Sequence, residues 1–254
     1  MRDFGGIGLD HLSRGSLDQA EKYTLLALEI NEDTGEKEKA ADNCATLGLI
    51  HRRRGDRDKA EEYYLKSLAL NEALGRKEGM ANAYGDLGLI HRTRDDLDKA
   101  EECHRQALAI EEELGRKEGM ANAYGNLGLI YRRRGELKKA EEHHLKSLAI
   151  EKELDRKEGM AIDYCNLGHI AVARGDKEKA WRIWALAKRL FTQLGDDDRV
   201  KLVQGWMDAG SEAEEKAEEG SAKKAEEGSA KKAEEESAKK AEEGSAKKAK
   251  KEAG

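Results

Sequence analysis

Apolar residues in the segment Arg116–Gly135, RKEGMANAYGNLGLIYRRRG, fall at Met120, Ala123, Tyr124, Leu127, Ile130 and Tyr131. Steps of three and four residues trace one stripe along an α-helix. Gly135 breaks that stripe and a second begins, with Ala140, His144, Leu148 and Ile150 or Glu151 along a helix predicted from about Leu137 to Leu154. Glu136 stands where a side-chain acceptor can cap the second helix, as Asp56, Asp96 and Asp176 do elsewhere. Asp155 ends it, at the place where Gly75, Gly115 and Gly195 provide left-handed C-caps. The unit reads as two antiparallel helices joined by a tight turn.

The pattern recurs every forty residues. Gly8, Gly48, Gly88, Gly128 and Gly168 fall in one column, and Ala20, Ala60, Ala100, Ala140 and Ala180 in another. Ile7, Leu47, Leu87, Leu127 and Leu167 make a third; Gly15, Gly55, Gly135 and Gly175 make a fourth, with Asp95 as its exception. Five units therefore fill the chain to residue 200, as 1–40, 41–80, 81–120, 121–160 and 161–200. One such unit cannot bury its own apolar face, so neighbours must stack into a solenoid. Small residues at places 8 and 20 of the unit let its two helices approach closely.

The ends depart from the pattern. In the fifth unit Trp181 replaces the glutamate of Glu61, Glu101 and Glu141, and Ile183, Trp184, Leu190 and Phe191 enrich the second helix. Leu202, Val203, Trp206 and Met207 then predict a capping helix over 201–210, which gives the tryptophans a packing role. Residues 211–254 repeat an octad close to AEEGSAKK, a low-complexity Ala/Glu/Lys tail expected to be helical or disordered. Unit one lacks the RKEGM lead-in and carries Gly5-Gly6, so its first helix frays or the array continues upstream.

Composition narrows the function. The net charge is −6, with no proline among 254 residues, and the pI of about 5.8 argues against a dedicated nucleic-acid binder. The absence of a long apolar run or a leader-like start makes cytoplasm the expected location. Cys44, Cys103 and Cys165 are scattered, which suits reduced thiols in a helical core. The glycines of GGIGLDHLSRG follow no strand, so they read as helix packing and not as a phosphate loop. His51 and His91 share a column with Tyr131, and His104 and His144 share one with Tyr64 and Trp184. Residues that alternate with aromatics read as packing, so no catalytic residue, cofactor or metal site is expected.

Within each unit, the aromatic at place 4 (Tyr84, Tyr124, Tyr164), Leu-Gly at places 7 and 8, and Ala at place 20 resemble the tetratricopeptide repeat. The bulky residue at place 24 (Tyr64, His104, His144, Trp184) and the small one at place 27 (Ser67, Ala107, Ser147, Ala187) also match. The period of forty and the missing proline are similar to the long-repeat branch of Pins-type adaptors and kinesin light chains. The resemblance implies an all-α, right-handed superhelix of five helix-turn-helix repeats plus a capping helix, with the first helices lining a concave groove that binds peptides.

On that inner face the pattern places Asn82 and Asn122; Gly85 and Gly125; Asp86, Asn126 and Asn166; Leu89 and Leu129; and Arg53, Arg92, Arg132 and Arg133. Asparagine amides both donate and accept, so a ladder of them suits an extended peptide backbone. Glycine allows that backbone to come close, and arginines at one rim favour carboxylates. The family likeness assigns the peptide-gripping asparagine to Asn126 and Asn166, with Asp86 and Thr46 departing from it. The expected function is a non-catalytic adaptor or scaffold holding an extended, acidic peptide. The alternatives are self-association into a homo-oligomer through the uncapped first repeat and, disfavoured by the acidity, a helical-repeat RNA reader.

Overall fold

The computed structural model describes residues 3–209, and the predicted tail lies outside the described residues. The chain divides after Asp197 into two units. The first unit contains α1 (Phe4–Ser13), α2 (Leu17–Asp33), α3 (Lys37–Arg54), α4 (Arg57–Leu74), α5 (Lys77–Thr93), α6 (Leu97–Leu114), α7 (Lys117–Arg133), α8 (Leu137–Glu153), α9 (Lys157–Ala173) and α10 (Lys177–Leu194). In the second unit residues 198–209 are helical; Val203 is buried, but Leu202 is exposed and departs from the apolar face expected for it.

Local chemistry sets the helix ends. Asp56, Asp96 and Asp176 accept from the backbone N–H of Lys59, Lys99 and Lys179 at 3.2, 3.3 and 3.0 Å. Glu136, expected to do the same, makes no side-chain cap; its longer side chain turns to Lys139 at 2.5 Å. Asp3 caps α1 by accepting from Gly6 N–H at 3.0 Å. Glycine supplies the positive φ at eight helix exits, and Asp95 (63°) and Asp155 (52°) adopt the same conformation where their columns lack it.

Consecutive helices pair as α1–α2, α3–α4, α5–α6, α7–α8 and α9–α10, and each pair packs on the next. The place-8 glycine is the floor on which the place-24 side chain lies. A Cβ on Gly48, Gly88, Gly128 or Gly168 would come within 2.2–2.7 Å of the ring of Tyr64, His104, His144 or Trp184. These aromatic and imidazole side chains are almost fully buried, as is Ala140 opposite. Along α8 it is Glu151, not Ile150, that completes the buried stripe.

Side chains from neighbouring pairs tie the stack together. Arg54, Arg94 and Arg134 each fork onto two carboxylates one repeat back: Asp18 and Glu21, Asp58 and Glu61, Asp98 and Glu101. Arg174 reaches Glu141 in the same way, but Lys138 occupies the aspartate's column. The place-21 glutamates also meet the place-11 side chains, from His51 to Glu21 at 3.4 Å, His91 to Glu61 at 3.8 Å and the Tyr131 hydroxyl to Glu101 at 2.5 Å. Burial pushes the Glu101 carboxyl up, yet hydrogen bonds from Tyr131, Arg105 and Arg134 outweigh it and hold it at about 2. The place-21 glutamate therefore serves the following repeat, which accounts for Trp181 in the fifth unit, after which the columns stop.

Adjacent first helices also touch (α1–α3, α3–α5, α7–α9), and no second-helix pair approaches as closely. The first helices thus occupy the inner radius, where they line one groove.

Candidate binding groove

The groove has a volume of about 1030 Å³ and runs over the inner faces of α3, α5, α7 and α9, with α6 and α8 below. Asn82, Asp86, Asn122, Asn126 and Asn166 all line it, as do Leu89, Leu129 and Ile162. Three of the place-6 side chains fold back on their own helix. Asn126 Nδ2 donates to the Asn122 carbonyl at 3.0 Å, Asn166 Nδ2 to Ile162 at 3.1 Å, and Thr46 Oγ1 to Asp42 at 2.9 Å. Each of the two asparagines therefore keeps a side-chain oxygen as a further acceptor.

Gly85 and Gly125 also line the groove, and here nothing inside the protein needs a glycine. A Cβ on Gly85 would meet no atom within 4 Å, and one on Gly125 only Ser147 Oγ at 3.7 Å. The contrast with Gly88 and Gly128, three residues further along, is direct.

Asp86 faces the groove above Tyr64 and near Arg52. Burial pushes its carboxyl up to about 6, against the pull of Arg52 and of the Tyr64 hydroxyl. A second aspartate, this one buried, lines the groove at α8–α9. Asp163 is 3% exposed and lies with Oδ1 3.0 Å from His144 Nδ1. Nothing in the hydrophobic pattern singled out this pair, because Asp163 stands where Ala83 and Ala123 stand. Its column also holds Asp3 and Asn43, so a polar residue at that place does not stand out in the sequence.

The basic rim strip expected from Arg53, Arg92, Arg132 and Arg133 is not assembled, and none of the four lines the groove. Arg53 Nη1 donates to the Leu12 carbonyl at 3.0 Å, and Arg133 Nη1 to the Arg92 carbonyl at 2.8 Å. Both reach back one repeat to cap carbonyls near a first helix's end. Arg92 is half-buried beside His104, and the Nε of Arg132 is buried without a hydrogen-bond partner. The cations that do line the groove are Arg52, which belongs to the expected rim column of Arg92 and Arg132, and Arg116, Arg156 and Lys157, which that column did not include.

The remaining candidate chemistry is packing. His104 and His144 lie under place-8 glycines, and burial pushes the His104 imidazole down to about 4. Cys44 and Cys103 are thiols whose burial raises them to about 11, far from the thiolate that a nucleophile needs. Among the described residues no helix is long and apolar enough to cross a membrane.

A family model described as the tetratricopeptide repeat matches residues 40–113 and 119–182, together more than half of the chain. No curated protein matches it. Among solved structures, BtubC from P. vanneervenii is 23% identical with a TM-score of 0.69, over 76% of this chain and 80% of that one. The apo form of RapI is 14% identical with a TM-score of 0.74, over 80% and 76%. A kinesin light chain of Podosopora anserina with nearly identical TPR-like repeats is 17% identical with a TM-score of 0.62, over 76% and 95%. At these identities the likeness establishes the fold, the right-handed helical-repeat solenoid.

Proposed function

The chain belongs to the tetratricopeptide repeat family, whose repeats generally mediate protein–protein interaction, and from that premise we propose that it is a non-catalytic scaffold holding an extended peptide of a partner protein in its inner groove. The observation that carries this reading is the open floor at Gly85 and Gly125. A glycine inside a helix costs about 1 kcal/mol relative to alanine, and packing gives no return for it here. An approaching backbone would use that space, with Asn82, Asn122, Asn126 and Asn166 beside it as donors and acceptors for its peptide groups. Binding that falls mainly on the backbone tolerates varied side chains.

The acidic character that the sequence favours for the ligand then falls to Arg52 and Arg116, cations that line the groove away from its α8–α9 end. Arg92 and Arg132 add only a longer-range, salt-screened contribution to encounter.

The test is selection from a random peptide library displayed on phage, with the full chain as bait. Selected peptides should bind the wild-type protein, lose most of their affinity to Gly125→Leu, and weaken alike with Asn126→Ala whatever their side chains. A library that enriches no peptide, or peptides indifferent to both substitutions, removes the reading.

A further inference from the structure

Three of the four joints between repeats place one arginine of the lead-in (Arg76, Arg116, Arg156) against carboxylates of the pair it follows, and the number of those carboxylates grows along the groove. Arg76 lies 3.1 Å from Asp42, and the buried residue beside that joint is the neutral Asn71. Arg116 lies 2.9 Å from Glu78 and 3.3 Å from the buried Glu111. Arg156 lies 4.0 Å from Glu118 and 3.4 Å from the buried Glu151, and there Asp163 brings a third carboxylate. The last joint thus gathers the most buried carboxylates, with Arg156 paired to them and Lys157 as the second cation lining the groove there.

It is also the least satisfied. Asp163 Oδ1 meets His144, but Oδ2 has no hydrogen-bond partner, and Glu151 Oε2 has only the 3.4 Å ion pair with Arg156 Nε. Both residues are 3% exposed and both line the groove. Buried carboxylate oxygens without donors are unfavourable, and an incoming N–H group relieves them. Burial pushes the Glu151 carboxyl up, and the negative charges of Asp163 and Glu118 push it further against Arg156. No group of three or more His, Cys, Asp or Glu among the described residues could hold a metal ion, so an organic cation suits the site better.

We propose that the α8–α9 end of the groove is a subsite for one basic side chain, lysine or arginine, of the bound peptide. Its ammonium or guanidinium donates to Asp163 and Glu151, and the exposed Ile162 covers its aliphatic stem. The proposal rests on the groove being a peptide site. It adds polarity to that reading, because a basic residue fixed at this end orients the peptide along the groove. The third and fourth repeats cannot compete, since Ala83 and Ala123 offer no acceptor at Asp163's place, and Asp3 and Asn43, which share that place in the first two repeats, do not line the groove.

The experiment selects phage-displayed random peptides on the full chain and, in parallel, on Asp163→Ala, which installs the alanine of the third and fourth repeats. Wild-type selections should enrich lysine or arginine at one fixed place, and the variant should lose that preference while retaining the rest of the motif. For a selected peptide, exchanging that residue for norleucine should weaken wild-type binding at least roughly tenfold and leave binding to Asp163→Asn and Asp163→Ala unchanged. The wild-type comparison of the two peptides stands even where a variant fails to fold. Selected peptides with no fixed basic place, or an equal norleucine effect on wild type and folded variants, overturn the subsite and leave the groove reading intact. Enrichment of no peptide at all overturns both.

Discussion

Asp155 holds a φ of 52° and Asp95 one of 63°, at places where the other repeats use glycine. A left-handed conformation costs an L-residue about 1 kcal/mol or more, somewhat less for aspartate because its short side chain bonds locally. Asp155→Gly and Asp95→Gly should therefore each stabilise the protein by roughly 0.5–1 kcal/mol, read as a higher thermal midpoint. A second single-residue expectation concerns His104, whose imidazole is pushed from 6.5 down to about 4 by burial first and by the charge of Arg92 second. Between those values the unfolded chain takes up a proton that the folded chain refuses. The contribution is fully favourable above pH 6.5 and is lost as pH falls toward 4. Replacing His104 by tyrosine, the residue that Tyr64 puts in the same place, should narrow the gap between urea midpoints measured at pH 7 and pH 4.5.

At the scale of the helix, glycines three residues apart have opposite meanings. Gly85→Ala meets empty space and gains helix propensity, so it should stabilise α5 by up to about 1 kcal/mol while weakening peptide binding. Gly128→Ala drives a methyl to 2.7 Å from the His144 ring and should cost roughly 1–3 kcal/mol. Circular dichroism melts paired with peptide titrations separate the two, and a loss of stability in Gly85→Ala would show that its floor is not open.

The forty-residue columns made the pairing of helices readable, because a column that alternates Tyr, His and Trp against invariant small residues can only be a contact. They did not reveal the direction of long side chains. Arg53 and Arg133 sit at the helix end where an inward rim was expected, yet each turns back to a carbonyl of the preceding repeat. Cross-repeat pairs such as His144 with Asp163 escape the periodic reading for a related reason: they occur once.

Across the first unit, order depends on ties between neighbours, and one rung is incomplete. Arg54, Arg94 and Arg134 each grip an aspartate and a glutamate, whereas Arg174 has Lys138 where the aspartate would be. Lys138→Asp should complete the fork and stabilise the fourth-to-fifth joint by about 0.3–1 kcal/mol, the range of partly exposed ion pairs. Amide hydrogen exchange should show slower opening of α9 and α10 and little change in α3 and α4; slowing spread evenly over all helices would mean that the joints are not separate.

These ties reach back only 30 to 41 residues, and none of them joins distant repeats. A tension applied to the two ends of residues 3–197 is carried in series by the joints, as by the links of a chain. Each link that yields releases one repeat, roughly 130–145 Å of slack for forty residues of extended backbone, while its neighbours hold. The array would lengthen in steps and rewind when the load is removed, the behaviour of a soft spring placed between whatever its two ends are attached to.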